Sequence, residues 1–519
     1  MVSRMAKAGR PSRHIELERK FAVPDGGQSP SFDGLSAVAR TEQLPTQFLE
    51  AVYFDTERHD LAANRITLRR RSGGPDAGWH LKLPSARGAD PASSPGSSPE
   101  ARTEIRAPLE QDLPDELLDS VLAIVRDRPL RPVARISTAR DVTMLYGPDA
   151  TPLAEFCDDH VTACRVGSDG DEDPQHWREW ELELVDAGIQ HATHLLDRLT
   201  NRLHDAGAEP AGHVSKLAKV LGDTTPLRPE PPSDPVHRAV AEQVAALLEW
   251  DRAVRVDADD AVHQMRVTIR QIRSLLQASE EEFGLTDDAT ILSELRELAG
   301  VLGVARDAEV LTERYRDALD ALAASAPELI RGPVRRRLID GGWLTYQSGL
   351  KRSWKAMRSA RYFRLLDALD NVVVTGPPPE EDHPHASISS SYRKVRRRAK
   401  AISAAADEHE LDDALHAVRK AAKRLRYVAA ATGNAKVSER AKSIQSVLGD
   451  HQDSVVSRAH LLRESDAAHA AGEDTFTYGL LYQLEEELAQ RCREQLGDAL
   501  KALRRSISKD AKDAKGAKG

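Results

Sequence analysis

The 519-residue sequence contains only three cysteines, Cys157, Cys164 and Cys492. They fit neither a disulfide framework nor the paired spacing of a cysteine-ligated metal site, which favours a reducing compartment. The sequence also lacks an apolar run long enough to cross a bilayer. Its basic first residues are not followed by the apolar stretch of a secretory signal. We therefore expect a soluble, cytoplasmic protein without a membrane segment.

The chain contains similar numbers of acidic and basic residues. The net charge is −9, from 82 acidic and 73 basic residues, which argues against a general nucleic-acid binder. Basic residues nevertheless form local clusters at Arg69–Arg71, Arg266–Arg273, Arg335–Arg337, Arg393–Lys400 and Arg419–Arg426. An acidic protein with such clusters can bind anions at chosen places.

Length and periodicity predict more than one domain. Strand-like alternation dominates before about residue 225 and helical periodicity after it. Two further Pro-rich segments, 84–103 and 375–387, predict a hairpin insertion and an internal linker. The predicted organisation is a flexible N-terminus at 1–13, a first domain at 14–222, a Pro-rich linker at 223–235, a helical domain at 236–508 with halves of about 236–374 and 388–508, and a disordered tail at 509–519.

In the first domain, the predicted strands separate charged from apolar residues. Glu16, Glu18 and Lys20 share one face because alternate side chains of a strand point to opposite sides. A sheet with one solvated face gives this pattern on any single strand. Here, however, some strands carry carboxylates and others carry guanidinium or ammonium groups. The set predicts a barrel with its charged faces inward and its apolar outer faces covered by helices at 112–127 and 190–206.

A cavity with both signs of charge suits a polyanion together with a divalent cation. Mg²⁺ and Mn²⁺ take oxygen ligands, and Arg and Lys hold phosphate oxygens. Phosphoryl transfer needs mainly positioning and charge neutralisation. The first domain is therefore predicted to contain a cavity for a phosphate-rich polyanion and a divalent cation.

Several motifs of the first domain resemble the CYTH domain of the triphosphate tunnel metalloenzyme family. They are E-x-E-x-K at Glu16, Glu18 and Lys20, the segment YFDTERHDLAANRITLRRR at 53–71, E-x-E at Glu181 and Glu183, and S-K at Ser215 and Lys216. The resemblance covers 14–220 and implies an eight-stranded antiparallel tunnel with flanking helices.

The resemblance also implies roles for individual residues. Glu16, Glu18, Glu181 and Glu183 would ligate Mg²⁺ or Mn²⁺ and, with Lys20, form the catalytic set. The triphosphate would be held by Lys20, Arg69, Arg71, Lys82, Arg135, Arg140 and Lys216. Supporting groups, or ligands of a second metal, would be Glu104, Glu155 and Asp159. Residues 135–141 depart from the family pattern, because Ser137 and Ala139 stand where basic residues are frequent.

The helical region contains an internal repeat of the form H-x2-R-x3-[R/K]-x2-R. The first stripe is His263, Arg266, Arg270 and Arg273, and the second stripe is His416, Arg419, Lys423 and Arg426. This spacing places each stripe on one helical face, and Lys420 and Tyr427 lie beside the second stripe. An L-G-x3-D segment follows each stripe, at Leu302–Asp307 and Leu448–Asp453, and is expected to end and pack a helix. The repeat predicts two similar bundles related by a pseudo-two-fold.

A basic stripe is more often a solvated helix face than a binding site, and such a face carries interleaved acids. Residues 263–276 and 416–430 contain no acid. Like charges on one face repel unless an anion or facing carboxylates neutralise them. Two stripes side by side would form a cationic groove for a linear polyanion. Metal binding by the two histidines is less favoured, because no carboxylate lies beside them at ligand spacing.

Residues 236–508 resemble a CHAD domain, the conserved-histidine α-helical domain, on both stripes, both L-G-x3-D segments and residues 359–369. The resemblance implies two antiparallel four-helix bundles and polyphosphate binding by His263, Arg266, Arg270, Arg273, His416, Arg419, Lys420, Lys423, Arg426 and Tyr427. The whole chain is thus predicted to be an α+β multi-domain protein.

These patterns together predict a metal-dependent inorganic triphosphatase that acts on tripolyphosphate or polyphosphate and binds polyphosphate through its helical domain. One alternative is a protein that binds or targets polyphosphate with little or no catalysis. A second alternative is a hydrolase or cyclase acting on thiamine triphosphate or ATP. We expect no specific nucleic-acid partner and a place in the cytoplasm, with polyphosphate granules as a candidate location. The oligomeric state stays open.

Overall fold

The computed structural model describes residues 11–24, 26–84, 100–167, 170–171, 173–186, 188, 192–224, 232–278, 290–375 and 387–516. The chain divides into two compact units, Met1–Pro229 and Glu230–Gly519. The division falls within the predicted linker 223–235. Most of the insertion predicted at 84–103 and of the linker predicted at 375–387 lies outside the described residues.

Antiparallel strands build the first unit. The strands are β1 (Ser12–Ala22), β2 (Arg40–Gln43), β3 (Gln47–Asp55), β4 (Thr67–Ser72), β5 (Gly78–Pro84), β6 (Glu100–Pro108), β7 (Arg131–Tyr146), β8 (Pro152–Gly167), β9 (Gly170–Asp171), β10 (Gln175–Leu184) and β11 (Glu209–Pro210). Strand β1 begins inside the N-terminal segment that the sequence analysis described as flexible.

Eight of these strands close into a barrel. Their order is β7-β3-β4-β5-β6-β1-β10-β8, and β8 pairs back with β7. Strands β2, β9 and β11 extend β7, β8 and β1 at the rim. The predicted eight-stranded antiparallel barrel is confirmed, and its closure removes the free edges that an open sheet would expose.

Helices cover two apolar faces on the outside of the barrel. The first unit contains helices α1 (Asp60–Ala63), α2 (Asp115–Asp119), α3 (Leu122–Val125), α4 (Ala192–Asp205) and α5 (Lys216–Leu221). Helices α2 and α3 bury Leu117 and Ile124 against strands β4–β6, while α4 buries Leu199 against β8 and β10. Because the apolar sides of the strands are covered in this way, their charged sides face inward.

Helix α5 packs on apolar residues that point into the barrel. Its Leu217 and Val220 join Ile136 of β7, Val161 of β8 and Tyr53 of β3 in one buried cluster. This cluster fills part of the barrel interior with apolar side chains. The remaining part of the interior is charged.

Among its described residues, the second unit contains helices joined by turns and loops and no strand. Its α-helices are α6 (Pro235–Arg255), α7 (Ala261–Ala278), α8 (Thr290–Ser325), α9 (Gly341–Met357), α10 (Ala360–Thr375), α11 (Ile388–Ile402), α12 (Glu408–Ala431), α13 (Ala435–Ala470) and α14 (Phe476–Gly516). Helices α11 to α14 form a four-helix arrangement around one core. The first half follows the same order, except that its last helix is divided at Arg358 and Ser359 into α9 and α10.

Two local predictions in this unit were wrong. The L-G-x3-D segments do not end helices: Leu302–Asp307 and Leu448–Asp453 lie in the middle of α8 and α13, each 36 residues long. The tail predicted to be disordered from 509 is helical as far as Gly516. Ala and Lys are frequent in that tail and favour the helix.

Candidate active site and cationic groove

The charged part of the barrel interior is a cavity of about 810 Å³. Its walls are mostly charged side chains from strands on opposite sides of the barrel. The predicted residues that line it are Glu16, Glu18, Lys20, Arg69, Arg71, Lys82, Arg140, Glu155, Glu181, Glu183 and Lys216. Glu104 and Asp159 are fully buried in the surrounding wall.

One group of carboxylates surrounds Lys82, and we call Glu16, Glu18 and Glu183 the Lys82 cluster. The Lys82 ammonium lies 2.5 Å from Glu16 and 3.7 Å from Glu18, and Lys20 lies 2.5 Å from Glu18. Burial opposes ionisation of Glu18, but Lys20 and Lys82 outweigh it and lower the pKa of Glu18 to about 2. Burial raises the pKa of Glu16.

Glu183 completes the Lys82 cluster and differs from the other two carboxylates. Burial, with the negative charges of Glu16 and Glu18, raises the pKa of Glu183 to about 8, against the pull of Lys82. The carboxyl group of Glu183 is thus mostly protonated at neutral pH. Glu183 thus holds a proton in the same cavity in which Glu18 is ionised. Two carboxyl groups in opposite protonation states can serve as an acid and a base.

A second group of carboxylates lies deeper, and we call Asp159, Glu179 and Glu181 the deep cluster. Their oxygen atoms lie within 4.8 Å of one another, so they could hold a metal ion. Lys216 neutralises all three at 2.7 to 2.8 Å. Arg140 donates to Asp159 at 2.7 and 2.6 Å and is also paired with Glu181.

Opposite the carboxylates, Arg69 and Arg71 point into the cavity from β4. Arg69 donates to the Tyr53 hydroxyl at 3.2 Å, and Arg71 is paired with Asp76. The Nε–H groups of both arginines are buried without a hydrogen-bond acceptor. Burial, reinforced by Arg69 and Arg140, lowers the pKa of Arg71 to about 9. Unsatisfied buried donors of this kind indicate a place for an anion.

In the second unit, α7 and α12 are packed together and carry the first and second stripes. Arg424 of α12 donates to Gln277 of α7 at 3.1 Å, which fixes their register. Burial and the facing cations, Arg270 first, lower the pKa of Lys423 to about 6. Burial, with Arg266 on its own stripe, also lowers the pKa of Arg270 to about 10. The two stripes therefore face each other, and we call the space between them the cationic groove.

Several buried ring and guanidinium nitrogens of the groove have no hydrogen-bond partner among the described residues. The buried atoms without a hydrogen-bond partner include Nε of Arg266, Arg270, Arg273 and Arg419 and Nδ1 of His416. Of the residues predicted beside the second stripe, Lys420 is exposed and Tyr427 is buried. Arg426 donates to Gln445 at 3.1 Å. A cluster of repelling cations with unused donors is the arrangement that a bound polyanion would neutralise.

Comparison with known proteins decides the family. Residues 14–217 match the CYTH domain, and residues 238–462 match the CHAD domain. Uncharacterized proteins of Mycobacterium tuberculosis strains CDC 1551 and H37Rv are each 59% identical over 520 residues, covering 97% of this chain and 99% of their own. The chain belongs to the proteins in which a CYTH domain is followed by a CHAD domain.

Similar solved structures cover one part of the chain each. PptA from Streptomyces chartreusis has a TM-score of 0.44 at 19% identity and covers 52% of this chain and 100% of its own. The CHAD domain from Ricinus communis has a TM-score of 0.39 at 20% identity, with 52% and 91% covered. The putative adenylyl cyclase HpAC1 from Hippeastrum, whose dominant activity is that of a triphosphatase, has a TM-score of 0.24 at 20% identity, with 40% and 95% covered. Within the described ranges, no helix is both long and apolar enough to traverse a bilayer.

One predicted residue of the CYTH domain lies outside the cavity. Arg135 is exposed on the outer face of β7 beside Glu50, whereas Arg140 points inward. They are five positions apart along the strand, an odd offset, so strand alternation places them on opposite faces. Ser137 and Ala139 share the outer face with Arg135. Ser137 and Ala139, which replace the basic residues frequent in the family, therefore do not line the cavity.

The predicted metal ligands do not form one cluster. In the described part of the CYTH domain only the deep cluster brings three carboxylates within 4.8 Å of one another. Glu181 belongs to it, while Glu16, Glu18 and Glu183 surround Lys82. Glu179, which the predicted ligand set does not include, lies in the deep cluster because alternation along β10 places it on the face of Glu181 and Glu183.

Two further arginines of the CYTH domain, which the predicted triphosphate-binding set does not include, line the cavity. Arg102 and Arg106 line the cavity from β6, on the same face as Glu104. Arg106 donates to Glu16 at 3.1 Å and is paired with Glu104. The alternation around Glu104 was a sufficient signal for both. The cavity is thus more cationic than the motif residues alone indicate.

The L-G-x3-D segments of the CHAD domain support the stripes. A Cβ on Gly303 would lie 3.4 Å from the Arg266 guanidinium, and one on Gly449 would lie 3.3 Å from that of Arg419. Arg266 also donates to Asp307 at 2.8 Å. The glycine therefore leaves room for the first arginine of each stripe, and Asp307 orients Arg266.

Proposed function

We propose that the CYTH domain hydrolyses inorganic tripolyphosphate or the ends of polyphosphate with Mg²⁺ or Mn²⁺, and that the CHAD domain binds polyphosphate. The observation that carries the proposal is the barrel interior, where unsatisfied guanidinium donors face two carboxylate clusters. A polyphosphate offers oxygens to the donors, and the carboxylates would hold a divalent cation that supplies charge neutralisation.

The deep cluster fits a hard divalent cation, because all three of its groups are carboxylates. When bound, the ion would supply charge neutralisation at phosphate oxygens and a more acidic water. The chain itself supplies the rest. Arg69 and Arg71 hold phosphate oxygens through Nε–H groups that lack acceptors. The protonated Glu183 can give a proton to a leaving phosphate.

The cavity favours an inorganic substrate over an organic triphosphate. Tyr53 is the one aromatic side chain among the described lining residues, and its hydroxyl is engaged by Arg69. A nucleobase or a thiazole ring thus finds little surface for stacking. Competition among tripolyphosphate, long polyphosphate, ATP and thiamine triphosphate, scored as metal-dependent phosphate release by the whole chain, tests this preference. Faster turnover of ATP or thiamine triphosphate would contradict it, and binding without turnover would support the targeting alternative.

Arg140 and Arg135 form a matched pair on one strand. Replacing Arg140 by glutamine is expected to lower kcat/KM for tripolyphosphate by about tenfold or more, because a charged hydrogen-bond donor leaves the cavity. Arg135→Gln is expected to stay within about twofold of the wild type. Steady-state phosphate release measures both. Equal losses in the two variants would contradict the inward assignment of Arg140.

The groove supports the second half of the proposal. Its cations come from two helices and repel one another, and the Nε–H groups of four of its arginines have no acceptor in the described part of the chain. A linear chain of phosphates offers one negative charge after another along the same direction. Inorganic polyphosphate is the proposed partner. Because polyphosphate is the proposed partner, we also propose that the protein lies in the cytoplasm, at polyphosphate granules in particular.

Binding to the groove is expected to weaken as pH rises from 6 to 8. Lys423 is mostly neutral above its pKa of about 6 because of burial and of Arg270, Arg419, Arg266 and Arg426 around it. A bound polyanion favours the ammonium form, so binding takes up a proton and affinity falls by up to about tenfold per pH unit.

Lys423→Arg tests this dependence, since its side chain stays charged throughout the range. Titration of fluorescent polyphosphate at several pH values should give a flat profile for this variant above pH 6.5. Burial also lowers the pKa values of His263 and His416 in the groove without a bound anion. An unchanged slope in Lys423→Arg would contradict the assignment.

A further inference from the structure

Helix α11 of the CHAD domain carries a basic surface that the groove does not use. Six of its residues are basic and exposed: Arg393, Lys394, Arg396, Arg397, Arg398 and Lys400. None of them forms an ion pair with any residue that the structure describes. The helix sequence, Ile388–Ile402, contains no acidic residue at all.

The fold leaves these cations facing solvent. Val395 is buried in the core of the four helices α11 to α14, and Tyr392 and Ala399 pack against that core. The other positions of the helix form its outer side. Basic residues three and four apart, such as Arg393, Arg396 and Arg397, repel each other on a helix, and interleaved acids would relieve the repulsion. Because α11 has no acidic residue to relieve this repulsion, a bound anion would relieve it.

The surface lies on the helix that precedes and packs against the carrier of the second stripe, α12. Residues 403–407 connect α11 to α12, and the two helices pack side by side as a helical hairpin. Counted from this turn at about 1.5 Å per residue, Arg393 lies level with the segment from His416 to Lys420. Lys420, in that segment of α12, is exposed as well. One polyanion can therefore contact the groove and α11.

We propose that α11 is a second phosphate-binding surface, which holds the part of a long polyphosphate chain that extends beyond the cationic groove. The proposal rests on polyphosphate binding by the groove. Affinity should consequently rise with chain length after the groove is filled.

Other polyanions fit α11 less well. The single aromatic residue of the helix, Tyr392, packs inward, so no ring is offered for base stacking. The outer side also lacks the apolar residues that an interfacial membrane helix inserts into lipid. The net charge of −9 opposes an extended contact with duplex nucleic acid. A thin, flexible polyphosphate chain can bind through the cations of α11 alone, without an extended contact to the rest of the protein.

The test compares two triple neutralisations in the full chain. The first is Arg393→Gln, Arg397→Gln and Lys400→Gln on α11. The matched control is Lys351→Gln, Arg352→Gln and Lys355→Gln, three exposed cations on α9. Glutamine keeps helix propensity, so both variants should retain the melting temperature of the wild type. The probes are tripolyphosphate, polyphosphate of several hundred units and duplex DNA.

We expect the α11 variant to lose about tenfold or more in affinity for long polyphosphate, with a shallower salt dependence, and to bind tripolyphosphate as the wild type does. The α9 control should stay within about twofold. Unchanged long-chain affinity in the α11 variant would overturn the inference and leave groove binding intact. Equal losses in both variants, or duplex DNA binding as tight as that of long polyphosphate, would also overturn it. Absence of polyphosphate binding in the wild type would instead remove the proposed function.

Discussion

Glu181→Gln is expected to lower phosphate release from tripolyphosphate by at least about 100-fold. Glu181 belongs to the deep cluster and is the carboxylate that Lys20, Arg140 and Lys216 all approach. Its loss removes a candidate metal ligand and leaves buried cations unpaired. The decrease should appear in kcat. Higher concentrations of Mg²⁺ or Mn²⁺ should not restore kcat, because the metal site has lost a ligand.

A matched control separates chemistry from stability. Glu42→Gln removes a carboxylate from the exposed rim strand β2, where Glu42 pairs with Arg40, and should leave activity unchanged. Breaking a buried ion pair destabilises a protein by about 3–5 kcal/mol, so the melting temperature of Glu181→Gln should be measured alongside activity. Full phosphate release by a folded Glu181→Gln protein would contradict the role of the deep cluster.

Neutralising the groove is expected to lower affinity for long polyphosphate by at least about 1,000-fold. The variant carries Arg266→Gln, Arg270→Gln, Arg419→Gln and Lys423→Gln. A hydrogen bond to a charged group contributes about 1.5–3 kcal/mol, and four such contacts are lost even if their energies are not additive. The dependence of affinity on salt should weaken as well, because fewer counterions are released.

Stability should change in the opposite direction. Burial and mutual repulsion disfavour the charged forms of Arg270 and Lys423. Their neutralisation is therefore expected to raise the free energy of unfolding, measured by urea denaturation. A folded variant that still binds polyphosphate as tightly as the wild type would contradict the groove. The triple α9 variant described above serves as the control for general loss of charge.

Alternation along strands accounts for most of what could be predicted in the CYTH domain. A period of two depends only on local backbone geometry, so the inward direction of Glu16, Arg69 and Glu181 followed from neighbouring residues. The same rule places Arg135 outside and Glu179 inside. The family resemblance instead put Arg135 among the triphosphate-binding residues and did not include Glu179 among the metal ligands.

Other features depended on contacts between distant segments. The division of the carboxylates into a deep cluster and a Lys82 cluster is set by which strands are neighbours across the barrel, and short motifs do not contain that information. The same holds for α5, whose apolar residues fill one part of the interior while Lys216 reaches the other.

The repeat in the CHAD domain predicted two facing stripes because two copies of one motif imply two equivalent helices. It did not reveal why each copy includes a glycine. Gly303 and Gly449 stand in mid-helix, where glycine is unfavourable, and only the packed structure shows the guanidinium groups that occupy the space beside them.

Anomalous diffraction from crystals of the whole chain grown with Mn²⁺ and tripolyphosphate tests the central claim most directly. The claim predicts a manganese peak inside the barrel within coordination distance of Asp159, Glu179 or Glu181, with phosphate oxygens between the metal and Arg69. A tripolyphosphate bound outside the barrel, or manganese sites only on the protein surface, would contradict it.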